Sequence, residues 1–160
     1  VSHEKIRTYL SYLEESLLIY QLSIFSYSLK VQEINPKKIY CIDNGLRNAI
    51  SFKFMKEEGK LVENLVFIEL KRRDKEIFYW QGKNEVDFII KQADNSLIAL
   101  NVTYTDEIKE RELKGLREFK KEFKSKVEKL ILLTKNTDKV EEEIHYFPIW
   151  KWLLKLEAIH

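Results

Sequence analysis

The chain has 160 residues, with 28 Lys+Arg against 26 Asp+Glu and a formal net charge of +2. That length suits one domain, or one domain with an appendage, and 44% hydrophobic with 12% aromatic residues excludes a disordered chain. One cysteine, Cys41, excludes an internal disulfide and a cysteine zinc site, no apolar run approaches the roughly 20 residues of a membrane span, and the near-neutral sum is not that of a general polyanion binder.

The opening VSHEKIRTYL is charged and has no signal-peptide character, so the cytoplasm is the expected compartment and no membrane partner is expected. There is no initiator Met, as expected of a fragment or a mature piece of something longer. Lys and Glu dominate the charges, a bias shared by hyperthermophile proteins and by AT-rich genomes.

In chain order, His3 to Leu18 reads as an amphipathic helix, because Ile6, Tyr9, Leu10, Leu13 and Leu17 recur at three and four residues. Ser2 is its N-cap, with Lys5 where a capping-box Glu would stand. Two short strands, Ile19–Leu22 and Tyr27–Val31, flank Ser23–Ser26, and Asn35-Pro36 marks a boundary. Lys38–Ile42 is a short strand, and a short helix follows Asp43-Asn44-Gly45 to about Phe54. Gly59–Arg73 is a helix apolar on more than one face, hence mostly buried, and it carries Glu63. Strands follow over Glu76–Gln81, Glu85–Lys91 and Ser96–Tyr104, joined by tight turns at Gly82-Lys83-Asn84 and Asp94-Asn95. Asp106–Lys124 is a charged helix with Ile108, Leu113, Leu116, Phe119 and Phe123 inward, and its mixed charges suit a solvated face with intrahelical pairs. Lys129–Thr134 is almost wholly apolar, as in a sheet interior. A strand at Ile144–Phe147 and a helix from Pro148 to Leu156 complete the chain, with Trp80 in the core and Trp150 and Trp152 packing the last helix onto the sheet. The helix after the third sheet strand is expected to cross over to a parallel neighbour.

Common chemical motifs are absent. Gly59-Lys60 and Gly82-Lys83 lack the rest of a P-loop, His3, His145 and His160 form no metal-ligand pair, and Cys41 reads as a small buried side chain. The informative residue is Asp87, set within the apolar run Val86–Ile90, where a carboxylate needs a partner or a metal. On the next strand Asn101 and Thr103 share a face by alternation. With Glu63 these residues are expected to converge on one pocket.

The α-β-β-β-α-β order, with an acid on the helix, Asp on the second strand and a polar pair on the third, resembles the PD-(D/E)XK restriction-endonuclease-like fold. More narrowly, GKLVENLVFIEL, IFYWQGKNEVDFII and LIALNVTYTDEIKERELKGLREF resemble the C-terminal domain of archaeal and bacterial AAA+-type ATPases. The likeness extends to KIYCIDNGLRNAI before the core and FPIWKWLL after it. It implies an α/β fold with a mixed sheet. In active members of the superfamily the helix acid, the strand Asp and an E-x-K pair hold Mg²⁺ and position water. Here the E-x-K positions carry Asn101 and Thr103. Asn101 offers a neutral oxygen to a hard cation, and Thr103 lacks the ammonium that would stabilise the transition state, a loss of about 10²–10³ in rate for one such donor. The resemblance thus implies a degenerate catalytic set of Glu63, Asp87, Asn101 and Thr103, inactive as a nuclease, with Mg²⁺ confined to a weak site at Glu63 and Asp87 and no other cofactor.

The segment KIRTYLSYLEESLLIYQLS followed by SYSLK resembles the last helix and wing of a winged helix, with His3, Lys5, Arg7, Thr8 and Ser11 as its DNA-binding candidates and Glu14 and Glu15 opposing phosphate. The expected division is a partial winged helix over 1–31 and a restriction-endonuclease-like domain over 32–160. The function expected is that of an accessory domain of an AAA+-type ATPase, binding DNA or a protein partner. The partners implied are the ATPase part of a longer parent chain, DNA, or a second copy. A Mg-dependent nuclease and an oligomerisation scaffold are the alternatives.

Overall fold

The computed structural model describes residues 2–50, 58–105 and 107–154. From the N-terminus, α1 (His3–Glu15) leads to β1 (Ile19–Leu22), α2 (Leu29–Ile34), β2 (Lys38–Cys41) and α3 (Asn44–Ile50). Then come α4 (Glu58–Arg72), β3 (Glu76–Gln81), β4 (Glu85–Lys91), β5 (Leu97–Val102), α5 (Glu110–Phe123), β6 (Val127–Thr134), β7 (Lys139–Glu141), β8 (Ile144–Pro148) and α6 (Ile149–Leu154). Ser2 caps α1 as its sequence suggests, its hydroxyl accepting from the Lys5 amide at 3.4 Å.

Six strands form one mixed sheet in the order β3-β4-β5-β6-β8-β7. β3, β4 and β5 are antiparallel neighbours, and β5–β6 and β6–β8 are parallel. The segment from α4 to β6 therefore runs α-β-β-β-α-β, with α5 as the crossover the sequence predicts. Two apolar layers cover the sheet. On one face Val66, Phe67 and Leu70 of α4 and Trp152 of α6 pack on Phe88, Ile90, Leu100 and Ile131. On the other, Leu116 and Phe119 of α5 pack on Val86, Ile89, Ala99 and Leu132. Fully burying one such side chain contributes about 1.5–3 kcal/mol.

β1 and β2 form a separate antiparallel ribbon. The chain after β1 then clasps the β3 edge. Phe25 N donates to Tyr79 O at 2.6 Å and Tyr79 N donates to Ser23 O at 3.0 Å. Phe25 packs edge-on against Phe78, Phe119 and Phe123 beside α5, while Tyr40 of β2 stacks on Phe67 beside α4 at 4.1 Å. The N-terminal segment grips both faces at this edge.

Several expectations are corrected. The strand predicted over Tyr27–Val31 is absent, because Leu29–Ile34 is helical, and β1 pairs with β2 instead. A wing built from Tyr27–Val31 is therefore not seen, and the ribbon pairs Ile19–Leu22 with Lys38–Cys41. The edge strand β7 has no apolar signal in the sequence, being exposed throughout. Pro148 ends β8 rather than opening the last helix. Trp80 and Trp152 are buried, but Trp150 is 58% exposed. The charges of α5 pair within the helix, Arg117 with Glu110 and Arg111 with Glu112, and also beyond it: Arg117 reaches Glu142 and Lys120 reaches Glu143 in the β7–β8 turn, and Glu118 accepts from Lys83 N and Asn84 N at 2.9 and 3.0 Å. The expected helix extension over 51–54, Asp106 and the end of the last helix beyond 154, with His160, lie outside the described residues.

Candidate functional site

An open cleft of about 540 Å³ lies beside the start of α4, lined by Glu63, Glu85, Asp87, Val102, Thr103 and Glu112, with lysines on its rim. How Asp87 reaches it follows from the register. Phe78 pairs with Ile89, but Trp80 pairs with Val86, so β4 carries one residue more than β3 at this point. Such a bulge shifts the alternation and re-aims a side chain. Val86 and Ile89 consequently both face α5, although they are three residues apart. Asp87, inside the bulge, turns toward α4 and β2.

There it meets a lysine. Lys38 Nζ lies 3.4 Å from Glu63 Oε1 and 3.5 Å from Asp87 Oδ1, and it also contacts Glu85. Lys38 and Tyr40 share one face of β2, and the Tyr40 hydroxyl donates to Glu63 Oε1 at 2.7 Å. Next to Glu63, buried Asn64 brackets Cys41, accepting from its amide at 2.9 Å and donating to its carbonyl at 3.0 Å. Consecutive residues of α4 thereby fasten β2 and deliver Lys38 to the acids.

The electrostatics follow. Burial raises the Asp87 carboxyl to about 7, the nearby Glu63 charge adds to the rise, and Lys38 and the Val102 amide (2.9 Å from Oδ2) oppose it. Burial alone would lower the Lys38 ammonium, but the fields of Asp87, Glu63 and Glu85 outweigh it and hold it well above the ordinary lysine range. Burial and Glu63 push the Tyr40 phenol far up, so it acts only as a donor.

Of the residues expected to converge, Glu63, Asp87 and Thr103 line the cleft. Asn101 does not. Its side chain is buried behind β4, where Oδ1 accepts from the Asp87 amide at 2.9 Å and Nδ2 donates to Glu112 O at 2.8 Å. It braces the Asp87 backbone against α5. The Thr103 hydroxyl lies 3.4 Å from that of Thr105. Lys38, Tyr40 and Asn64 were not foreseen as site residues. Alternation in K-I-Y-C places Lys38 and Tyr40 on one face, which is the signal that could have found them. Among the described residues, no three His, Cys, Asp or Glu side chains are grouped to hold a metal ion.

His3, Lys5, Arg7, Thr8 and Ser11 all lie exposed on α1, away from the cleft lining. Thr8 Oγ1 donates to Glu4 O at 3.0 Å and Ser11 Oγ to Glu15 Oε1 at 3.0 Å, so both hydroxyls have intrahelical partners. Among the described residues, no helix is long and apolar enough to cross a membrane.

Two family models match adjoining parts of the chain. One described as a domain of unknown function (DUF8612) matches residues 1–57, which include β2 and Lys38. A second, also described as a domain of unknown function (DUF4143), matches residues 58–152, which carry Glu63, Asp87 and the whole six-stranded sheet. An uncharacterised protein, MJ1544, of Methanocaldococcus jannaschii is 37% identical over 96% of this chain, and an uncharacterised protein of Haemophilus influenzae is 28% identical over 96% of it. The chain spans only 37% and 38% of the lengths of these two relatives. No solved structure matches it. Since the match over 58–152 takes in more than half of its residues, the chain belongs to the DUF4143 family.

Proposed function

We propose that the chain is an accessory domain of a longer AAA+-type ATPase, in which a restriction-endonuclease-like cleft has lost hydrolysis and serves to bind DNA or a protein partner. The observation that carries this reading is the Lys38 ammonium seated among Glu63, Glu85 and Asp87. On this reading it occupies the place where the acids of a nuclease would hold a metal. A divalent ion would have to displace a tethered cation, and where the active superfamily carries the acid of its E-x-K pair it would find the neutral amide of Asn101, turned to the backbone. The residues present do not suit Mg²⁺. The α-β-β-β-α-β order agrees with the reading, as does the length of the relatives, which leaves room for a catalytic engine elsewhere in such proteins.

The test is supercoiled plasmid incubated with Mg²⁺ or Mn²⁺. Neither the wild type nor Asp87→Ala should nick it. Metal-dependent nicking by the wild type that Asp87→Ala abolishes would overturn the reading. One observation favours the nuclease alternative: the ammonium that Thr103 cannot supply is present, brought by Lys38 from another strand. Under that alternative Lys38→Ala would abolish nicking too. Binding of DNA is to be read from its salt dependence, since a protein neutralising several phosphates loses affinity steeply as salt rises.

A further inference from the structure

The helix α1 carries a surface that the rest of the structure does not use. None of its residues is buried. Most of its apolar side chains nevertheless fall on one narrow stripe: Ile6, Tyr9, Leu10 and Leu13, continued by Leu17 just past the helix end, with Tyr12 alone off it. Four of these are 40–62% exposed. A helix of this length is marginal in water unless its apolar face is packed.

The C-terminus of α1 adds an independent sign. Leu18 N donates to Leu13 O at 3.0 Å and Leu17 N to Glu14 O at 2.9 Å, which is a Schellman stop. The residue at its left-handed position is Leu17, with φ 56°. Glycine or asparagine is the usual choice there, because a side chain is strained in that conformation. A leucine at this point, 62% exposed, gains nothing locally. It extends the stripe.

We propose that α1 is a docking helix, and that its stripe is covered by another part of the same polypeptide: an apolar surface of the longer protein, outside the residues of this chain. The inference rests on the reading that this chain is a domain of such a protein. Both relatives match 96% of this chain, yet most of their own length lies outside the match. A covering partner is thus available within one chain, where tethering supplies an effective concentration in the millimolar range. A second copy is a poorer occupant. A stable interface between separate chains takes some 20–30 residues a side, and this stripe offers five.

The experiment is hydrogen exchange on the intact longer protein, following the α1 amides. In the wild type they should exchange at least tenfold more slowly than in Leu13→Glu, with rates independent of protein concentration. Glu15→Lys, on the opposite side of the helix, should keep the protection and serves as the control for a charge change in α1. The proposal is overturned if the wild-type amides are unprotected, if Leu13→Glu leaves the rates unchanged, or if dilution removes the protection, since that last result assigns the stripe to a second copy. ATP hydrolysis by the same protein is measured separately. Its absence would sink the AAA+ reading and leave this one standing, whereas unprotected α1 amides in an active ATPase would do the reverse.

Discussion

Asp87 takes its behaviour from the residues around it. The groups facing it are Lys38, Glu63 and Glu85, with Tyr40 bonded to Glu63. Its carboxyl titrates near 3.8 when unfolded and is raised to about 7 in the fold, so folding takes up a proton between those values. Stability must then fall as pH rises through that window. Denaturant unfolding of the wild type should show a loss on the order of 2 kcal/mol between pH 5 and pH 8, since each pH unit inside the window is worth at most about 1.4 kcal/mol and the clustered charges divide the effect among them. Asp87→Asn should flatten the profile over the same range. A wild-type stability that climbs with pH would contradict this account of the cluster. Asn64 makes a second residue-scale case. Removing its paired bonds to the Cys41 backbone strands buried polar groups, so Asn64→Ala should cost about 2–3 kcal/mol in the same measurement.

At the scale of elements, α5 depends on a glycine. A Cβ at Gly115 would run into the backbone carbonyl of Glu85. Ala improves helix propensity by about 1 kcal/mol, but overpacking against backbone costs about 1–3 kcal/mol. Gly115→Ala should therefore lower the urea midpoint. A raised midpoint would mean that α5 can shift freely off β4. The same elements explain what the sequence revealed. The strands β3, β4 and β5 were legible because turn residues bound their apolar runs, and β6 because it is buried along most of its length. The β4 bulge was not legible: V-D-F-I-I reads as plain alternation, and only pairing with β3 displaces Asp87 from the α5 face. Asn101 was expected to share a pocket with Asp87, and the bulge that turns Asp87 toward α4 is why Asn101 lies behind it instead. The helix α2 is masked in the sequence because it is only six residues long, and its N-cap Ser28 makes no side-chain capping bond. Glu63 and Asp87 could be picked out as acids in apolar surroundings. Lys38 is harder to single out, since a lysine opening a short strand looks like an ordinary solvated end, and only the face it shares with Tyr40 marks it.

The whole molecule joins two family segments at one edge of the sheet. Residues 1–57 supply Lys38, Tyr40 and Phe25, and residues 58–152 supply the surfaces these meet. The cleft is thus composite, and cutting the chain at the family boundary would alter its chemistry as well as its size. A chain shortened to 58–152 would keep Glu63, Glu85 and Asp87 while losing their tethered counter-charge. Calorimetric titration with Mn²⁺ should then detect binding at least tenfold tighter than in the intact chain, and a Lys38→Met chain should shift the same way. Equal affinities in all three would show that Lys38 does not govern the acids. Domain mapping by truncation could thus register a metal-binding or even nucleolytic property that arises at the cut, a false positive written into the way the two segments interlock.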